Sequence, residues 1–297
     1  MKKHSILYII IAGILWGTSG LFVDYLAPYG FSSLHMVTVR GGVSLIVLAL
    51  YVLICDKRAF CMNKAELLLF ACSGLALFGT AACYYAAIQV SSVSTAVILM
   101  YTAPVIVMIY SVTCLGETFT LQKGVCVACM IIGCTLVSGI IGGLKFSVWG
   151  IVLGLLSSIS FSAYNIFTKI QMQRKSNPLS ATLYCFAFMT LFSLCVSKAM
   201  EIPTLVIQKP FALTVALVGL AVVTALLPYL FYTLAMKTLP AGTASALAIV
   251  EPMSATLFSV IFLNEALGVP SFIGIILILG SVYLLSRSER ESGGDMK

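Results

Sequence analysis

The chain has 297 residues, of which 61% are hydrophobic and only 9% are charged, and its formal net charge is +7. A soluble domain usually carries about 25% charged residues, so this chain cannot cover a soluble fold with polar surface. The composition therefore excludes a pair of soluble domains, a disordered chain and a nucleic-acid-binding protein. It predicts a polytopic membrane protein whose basic residues lie mainly in cytoplasmic connections.

Ten apolar stretches follow one another, each close to the length of about 20 residues that a helix needs to cross a bilayer. They predict helices over 5–27, 34–54, 66–88, 93–114, 121–140, 148–170, 180–199, 211–236, 242–263 and 270–286. The first stretch resembles a signal peptide, but nine more spans follow it and favour an uncleaved helix. The predicted fold class is an all-α integral membrane protein with ten transmembrane helices.

The lysines and arginines indicate how these helices are oriented. If the N-terminus is inside, 13 of them lie in inner segments, and the outer segments hold only Lys145, Lys198 and Lys209. The remaining one, Arg40, lies within the second helix. By the positive-inside rule, both termini of this multi-pass protein of the cell (plasma or inner) membrane are predicted to be cytoplasmic.

An internal repeat runs through the chain. A shift of 148 residues places 84–117 on 232–265 without a gap, and ten of the 34 positions are identical. The matched pairs include Tyr84 with Tyr232, Pro104 with Pro252 and Glu117 with Glu265. A matched proline and a matched glutamate at a helix end are not a simple result of shared apolar composition, so the sequence indicates a duplication.

The repeat predicts the domain organisation. The units are a five-helix repeat over 1–140, a linker over 141–147, a second five-helix repeat over 148–287 and a cytoplasmic tail over 288–297. Because five is an odd number, the second repeat is predicted to lie inverted in the membrane. Many secondary transporters are built from such inverted repeats around a site near the midplane of the bilayer.

Two segments at equivalent places in the repeats carry a family resemblance. They are Tyr101-Thr102-Ala103-Pro104 through Glu117, and Glu251-Pro252 through Glu265; Leu15-Trp16-Gly17 in the first helix adds to them. The chain resembles the EamA-type transporters of the drug/metabolite transporter superfamily along nearly its whole length. The resemblance implies a ten-helix carrier, often an exporter of amino acids or other small metabolites, with a central cavity lined by helices 1, 3, 4, 6, 8 and 9.

Glu251 is the first candidate for a functional residue. At 1.5 Å per residue from the start of its helix, it lies roughly 15 Å deep, near the midplane. An acidic group there costs on the order of 3 kcal/mol, so it is expected to face a cavity or a partner. Pro252 is expected to leave the carbonyl of Ala248 without its helical donor. Glu251 then anchors a substrate ammonium group or couples protons to transport; the alternative is a protonated structural glutamate.

Further candidates are aromatic, polar or helix-bending. Trp16, Tyr84, Tyr101 and Tyr229 can line a substrate cavity, although core packing and interfacial anchoring explain them as well. Asn165 is a candidate that an interhelical hydrogen bond also explains. Asp24 and Arg40 can form an outer gate or bind a substrate carboxylate, unless Arg40 snorkels or makes a structural salt bridge. The prolines expected to kink helices are Pro104, Pro228 and Pro252.

Metal, cofactor and enzyme chemistry find little support in the sequence. The ten cysteines lie mostly in apolar stretches and there are only two histidines, so neither a metal site nor a cofactor is predicted. Gly17-Thr18-Ser19-Gly20 with His35 matches the serine motif of rhomboid-like intramembrane proteases, which is the non-transport alternative. A channel is disfavoured because rings of charge and a filter-like loop are missing from the sequence.

The sequence thus predicts a secondary transporter that moves a small polar metabolite, an amino acid or related amine, across the plasma membrane by alternating access. Export is the expected direction. The alternative is a proton- or substrate-coupled exchanger of another small organic metabolite. The expected partners are the small-molecule substrate, the lipid bilayer and, in the coupled version, protons. The sequence leaves open the substrate, the coupling ion and whether the protein is a monomer or a homodimer.

Overall fold

A computed structural model describes residues 2–61, 64–91, 93–138, 147–263 and 267–291, and within these ranges the chain is helical without strands. The predicted linker up to residue 146 and the tail beyond residue 291 lie outside the described residues. The α-helices are α1 (Lys2–Gly17), α2 (Ser19–Leu26), α3 (Ser33–Cys55), α4 (Lys64–Val90), α5 (Val93–Met100), α6 (Ala103–Cys114), α7 (Leu121–Val137), α8 (Val148–Gln173), α9 (Pro178–Val196), α10 (Ile202–Val206), α11 (Pro210–Ala221), α12 (Leu227–Met236), α13 (Ala241–Leu247), α14 (Val250–Phe262) and α15 (Val269–Glu291).

Most of these helices combine into membrane spans. In the described part of the chain, nine helical segments are long and apolar enough to cross a membrane, and α7 adds a shorter apolar helix. Ten spans were expected, so α7, with 17 residues, is the one that falls short of the spanning length. Large apolar side chains face outwards, as lipid contact requires; Ile46, Ile109 and Ile261 are each 60% or more exposed.

Four spans are interrupted, between α1 and α2, α5 and α6, α11 and α12, and α13 and α14. Three of these interruptions precede a proline. α5 ends at Met100 and α6 begins at Ala103, directly before Pro104. α13 ends at Leu247 and α14 begins at Val250, two residues before Pro252. A proline inside a helix has no N–H for the carbonyl four residues earlier, so the helix is broken where the repeat places its matched prolines.

The break before Pro252 corrects one expectation. The carbonyl of Ala248 is not left free, because it accepts a hydrogen bond of 3.0 Å from the backbone N–H of Glu251. The chain tightens to a three-residue turn at this point, which satisfies the carbonyl that the proline cannot reach. The polar character of this region therefore comes from the side chain of Glu251 itself.

The third interruption has a different form. Between α11 and α12 the helix winds as a π-helical segment over Val222–Leu226, and Pro228 follows it at the start of α12. Two side chains of α3 bind carbonyls of this region. Arg40 Nη2 donates to the carbonyl of Thr224 at 2.6 Å, and Ser44 Oγ donates to the carbonyl of Ala221 at 3.0 Å. The widened turn is thus stabilised from the neighbouring helix.

The helices of the two halves pack in matched pairs. α4 of the first half lies along α8 of the second, and α1 lies along α12. α5 packs on α8, and α1 packs on α14. α3 also lies along α9, and α7 along α15, and each of these two pairs joins segments that the shift of 148 residues relates to one another.

Glycines permit the close approach of α1 to α14. A Cβ atom placed on Gly17 would lie 2.7 Å from Ser254 Cβ and 2.8 Å from the backbone nitrogen of Ala255. A Cβ atom on Gly13 would lie 3.0 Å from Val250 Cβ. The small residues of the first helix therefore bring it against the start of α14, where Glu251 lies.

We expect the Gly17→Val substitution to destabilise the protein by about 1–3 kcal/mol, because an overpacked interface must move apart. Thermal unfolding of the purified protein in detergent measures the effect as a lower unfolding temperature. Gly20→Val is the matched control, since no atom lies within 4 Å of a Cβ placed at Gly20. Equal unfolding temperatures for both variants would contradict this view of the α1–α14 contact.

Candidate functional site

The site centres on Glu251, in the first turn of α14 immediately after the break. Its carboxyl group lies deep in the bundle but keeps some accessible surface, since the residue is only partly buried. The hydroxyl group of Tyr101, at the corresponding break between α5 and α6, faces this carboxyl group. The two helix breaks therefore bring their polar side chains together.

Three of the tyrosines singled out in the sequence surround Glu251. Tyr84 on α4, Tyr101 and Tyr229 on α12 all lie within electrostatic range of its carboxyl group. The ring of Tyr84 also lies 5.5 Å from that of Tyr85 in a tilted arrangement. Helices from both halves of the chain thus contribute aromatic side chains to one acidic position.

An aromatic wall continues from this position towards α8. The ring of Trp16 lies 5.0 Å from that of Tyr229 in an edge-on arrangement and 5.6 Å from that of Tyr232. Tyr164 packs edge-on against Tyr229, with ring centroids 5.5 Å apart. Rings with centroids at these distances attract one another, so the wall is a preformed surface.

Three buried donors around the site have no hydrogen-bond partner in the structure. They are Trp16 Nε1, Arg40 Nε and the Tyr101 hydroxyl, which faces the Glu251 carboxyl group without hydrogen-bond geometry. Trp16 and Tyr101 are each only 3% exposed. A buried donor without a partner costs about 1–3 kcal/mol, so such groups are expected to point to where a polar ligand binds.

Among the ion pairs of the described residues none joins Arg40 to Asp24, and the outer gate stays a prediction. Asp24 is exposed on α2, whereas Arg40 is bound to the carbonyl of Thr224 and acts electrostatically on Glu251 and Tyr229. The interrupted helix supplies an acceptor deeper in the bundle, and this draws the guanidinium group inwards. In the described residues no direct ion pair joins Arg40 to Glu251, so the two charges face the same region separately.

Asn165 forms a hydrogen bond with the aromatic wall. Its side-chain oxygen accepts a hydrogen bond from the Tyr232 hydroxyl, and its nitrogen donates to the carbonyl of Phe161 at 2.6 Å. Both polar atoms of the fully buried amide are therefore used inside the protein. The interhelical hydrogen bond that the sequence offered as the alternative explanation is what the structure contains.

A small enclosed cavity lies beside the wall. Its volume is about 10 Å³, which is room for a single water molecule. Its lining is partly polar and includes Tyr164, Thr168, Gln171, Tyr229 and Thr233. The central region is thus narrow on this side, and the accessible surface of Glu251 and Arg40 lies elsewhere around the helix breaks.

The protease alternative has no matching geometry. Ser19 Oγ donates to the carbonyl of Trp16 at 2.5 Å. His35 accepts from the backbone N–H of Ser32, and its other ring nitrogen lies 3.7 Å from Glu201. Ser19 and His35 therefore have separate partners. Among the described residues no cluster of three or more metal-ligating side chains occurs, and the ten cysteines are free thiols.

A second polar group, which sequence reasoning did not assemble, lies at the end of the bundle where α1 begins. The hydrogen bond of 2.6 Å between Ser5 and Thr238 lies here. We call this the inner end, because the sequence predicts a cytoplasmic N-terminus. Here Lys123 Nζ forms an ion pair of 2.7 Å with Glu289, and Thr243 donates to the same carboxylate oxygen at 2.8 Å. Lys123 lies in the first turn of α7 and Glu289 in the last turns of α15. The packing of these two helices on one another brings the two side chains together.

Glu117 and Lys169 complete this group, which we call the inner polar cluster (Glu117, Lys123, Lys169, Thr243 and Glu289). Glu117 accepts hydrogen bonds from the backbone N–H groups of Ala241 and Gly242, at 2.8 and 3.5 Å. Glu117 therefore caps the start of α13, which begins at Ala241. Its partner in the repeat, Glu265, lies outside the described residues.

Known transporters are similar to this chain in sequence. A sequence model of the EamA-like transporter family matches residues 3–139 and again residues 148–287. An uncharacterized transporter of Archaeoglobus fulgidus is 27% identical over 94% of this chain and 95% of its own length. The uncharacterized transporter YwfM of Bacillus subtilis is 26% identical over 96% and 94%.

Two further relatives extend this similarity. The uncharacterized inner membrane transporter YicL of Salmonella typhimurium is 22% identical over 97% of both chains. One solved crystal structure shares the fold, with a TM-score of 0.80 at 16% sequence identity, over 98% of this chain and 99% of the other. The shared fold therefore covers nearly all of this chain and of the solved chain.

Proposed function

The chain belongs to the EamA-like transporter family, and on that premise we propose that it is a secondary carrier that exports an amino acid or related amine by alternating access. Multi-pass insertion in the membrane accords with the family and with the inner membrane relative. We place both termini on the cytoplasmic side, because most of the basic residues then lie in inner connections.

The observation that carries the proposal is the pair of opposite charges at the helix breaks. Glu251 and Arg40 lie in the same region, within electrostatic range but without a direct ion pair. A free amino acid carries an ammonium group and a carboxylate. In our proposal its ammonium group binds Glu251, its carboxylate binds the unpartnered Nε of Arg40, and its side chain lies on the aromatic wall.

The packing of the helices supports an inverted arrangement of the two halves. The shift of 148 residues relates the pair α4–α8 to the pair α12–α1. It also relates the contact of the α5–α6 span with α8 to the contact of the α13–α14 span with α1. The helix breaks before Pro104 and Pro252 are related in the same way. Two halves of opposite orientation can exchange their packings, which exposes one site to each side of the membrane in turn.

A ligand screen followed by counterflow tests this function. We expect one or a few amino acids to raise the unfolding temperature of the purified protein, since a ligand stabilises the state it binds by about 2.7 kcal/mol at a hundred times its dissociation constant. The amino acid with the largest effect is then loaded unlabelled into proteoliposomes. Labelled amino acid added outside should accumulate transiently above its equilibrium level.

Controls separate a carrier from the other classes. Empty liposomes should show no accumulation, and a pore would only equilibrate the label. If no amino acid or amine stabilises the protein, and none shows counterflow, the proposed substrate class is wrong. If the protein is an exporter, everted membrane vesicles are expected to take up the amino acid, whereas intact cells are not.

A further inference from the structure

The inner polar cluster joins the two halves of the chain at one end of the bundle. Glu117 and Lys123 belong to the first half, and Lys169, Thr243 and Glu289 to the second. Lys123 also donates to the carbonyl of Thr118 at 3.3 Å. Lys169 donates to the carbonyls of Met236 and Leu239, at 3.2 and 2.5 Å, in the connection that leads into α13. The start of α13 is therefore bound from both halves at once.

The cluster is shielded from solvent in the structure. Glu289 is 1% exposed and Lys123 is 8% exposed. α13, which the cluster holds, is buried along its entire length and packs against α6. A buried ion pair gains little stability over apolar packing, and its better-documented use is to specify one arrangement over another. If this end opened, water would reach both charges and reduce the cost of separating them.

The Lys123–Glu289 ion pair has no counterpart in the sequence at the positions that the repeat relates to it. Under the shift of 148 residues, Lys123 corresponds to Ser271, Lys169 to Leu21 and Glu289 to Ile141. Three charged positions of the inner end therefore have uncharged counterparts. Thr243 and Glu117 keep their residue types, as Thr95 and Glu265.

Helix packing shows the same difference between the ends. α6 packs closely against α13 at the inner end. The segments that the repeat relates to them, α14 and α5, share no comparable packing within the described ranges. The inner ends of α8 and α12 also meet each other and the connection to α13 through Lys169. The α5–α6 span and the α13–α14 span are therefore in close contact at the inner end and not at the outer end within the described ranges.

We propose that the inner polar cluster is a one-sided latch, which holds the carrier in an outward-facing state and must separate before the site can open to the cytoplasm. The proposal rests on the proposed carrier function, because only a carrier alternates between two such states. The ion pair of Lys123 and Glu289 is its central contact, and Thr243 transmits it to α13. The latch stabilises the outward-facing state relative to the inward-facing state, which the symmetric parts of the repeat do not do.

Hydrogen exchange of the full-length protein in lipid nanodiscs tests the latch without any transport measurement. In Glu289→Gln we expect the amides of α6 and α13 to exchange about tenfold faster, since the inward-facing population rises. The amides of α5 and α14 should exchange more slowly, because the outer end closes when the inner end opens. Only an exchange between two states produces opposite changes at the two ends.

Matched variants keep the test decisive. Glu201→Gln removes an exposed carboxylate at the outer end and should leave α6 and α13 unchanged. The charge reversal Lys123→Glu with Glu289→Lys rebuilds the pair and should restore slow exchange at α13. Faster exchange at both ends together, or no change in Glu289→Gln and Lys123→Met, would overturn the latch. Failure to find a transported amino acid would leave these exchange results unaffected, so the two proposals fail separately.

Discussion

The Glu251→Gln protein is expected to fold and to lose counterflow of the amino acid by at least thirtyfold. Removing one charge of a buried pair costs about 2–5 kcal/mol, and the lower figure corresponds to about thirtyfold. The amide keeps the shape of the side chain and removes its negative charge. Initial rates of counterflow into proteoliposomes, measured from about pH 5.5 to pH 8.5, test this result.

Counterflow, compared with net transport under a pH gradient, distinguishes the two roles of Glu251. If the carboxylate binds the ammonium group of the substrate, both counterflow and net transport fall. If it couples protons instead, counterflow persists in Glu251→Gln, whereas net transport no longer responds to a pH gradient. Asp24→Asn is the matched control, because it makes the same chemical change on an exposed residue of α2. Wild-type counterflow with an unchanged pH profile would make Glu251 a structural residue.

Arg40→Met is expected to abolish recognition of the substrate carboxylate. Counterflow of the amino acid should fall at least thirtyfold for the same energetic reason. The corresponding amine, which lacks the carboxylate, should still raise the unfolding temperature. Arg40→Lys retains the charge but not the planar fork of donors, so we expect an intermediate loss. The amine and the amino acid together separate a binding role from a general loss of structure.

The control for Arg40 is Arg58→Met, which removes an exposed arginine in the connection before α4 and should transport normally. Arg40 also holds the carbonyl of Thr224, so its removal lowers stability to some degree. If the amine and the amino acid lose binding equally in Arg40→Met, the residue acts through that structural contact. The proposed contact with the carboxylate would then be wrong.

Much of the fold could be predicted from the sequence, because span length and hydropathy are local properties of the chain. The predicted helices agree with the observed ones to within a few residues at most ends. The breaks before Pro104 and Pro252 followed from the missing N–H of proline. The short length of α7 and the π-helical segment did not, because they depend on packing against neighbouring helices.

The candidate site was predictable only in part. Glu251 stood out because its depth makes an acidic group costly, and the tyrosines around it were found from their position along the helices. The hydrogen bond of Arg40 to Thr224 could not be predicted, since the acceptor is a backbone carbonyl that no side-chain pattern reveals. The inner polar cluster depends on contacts between residues more than 100 positions apart, such as Lys123 and Glu289.

The π-helical segment Val222–Leu226 changes how the two halves should be compared. A π-helical turn accommodates an additional residue, and one residue of an α-helix corresponds to a rotation of about 100°. The equivalent helix of the first half, α4, is α-helical throughout. Residues before and after the segment are therefore rotated relative to one another, compared with the positions they would take in an uninterrupted α-helix. The ungapped match of the repeats begins at Tyr84 and Tyr232, after this segment, so the residues before it are expected to need a shift of one position to overlay on α4 in space.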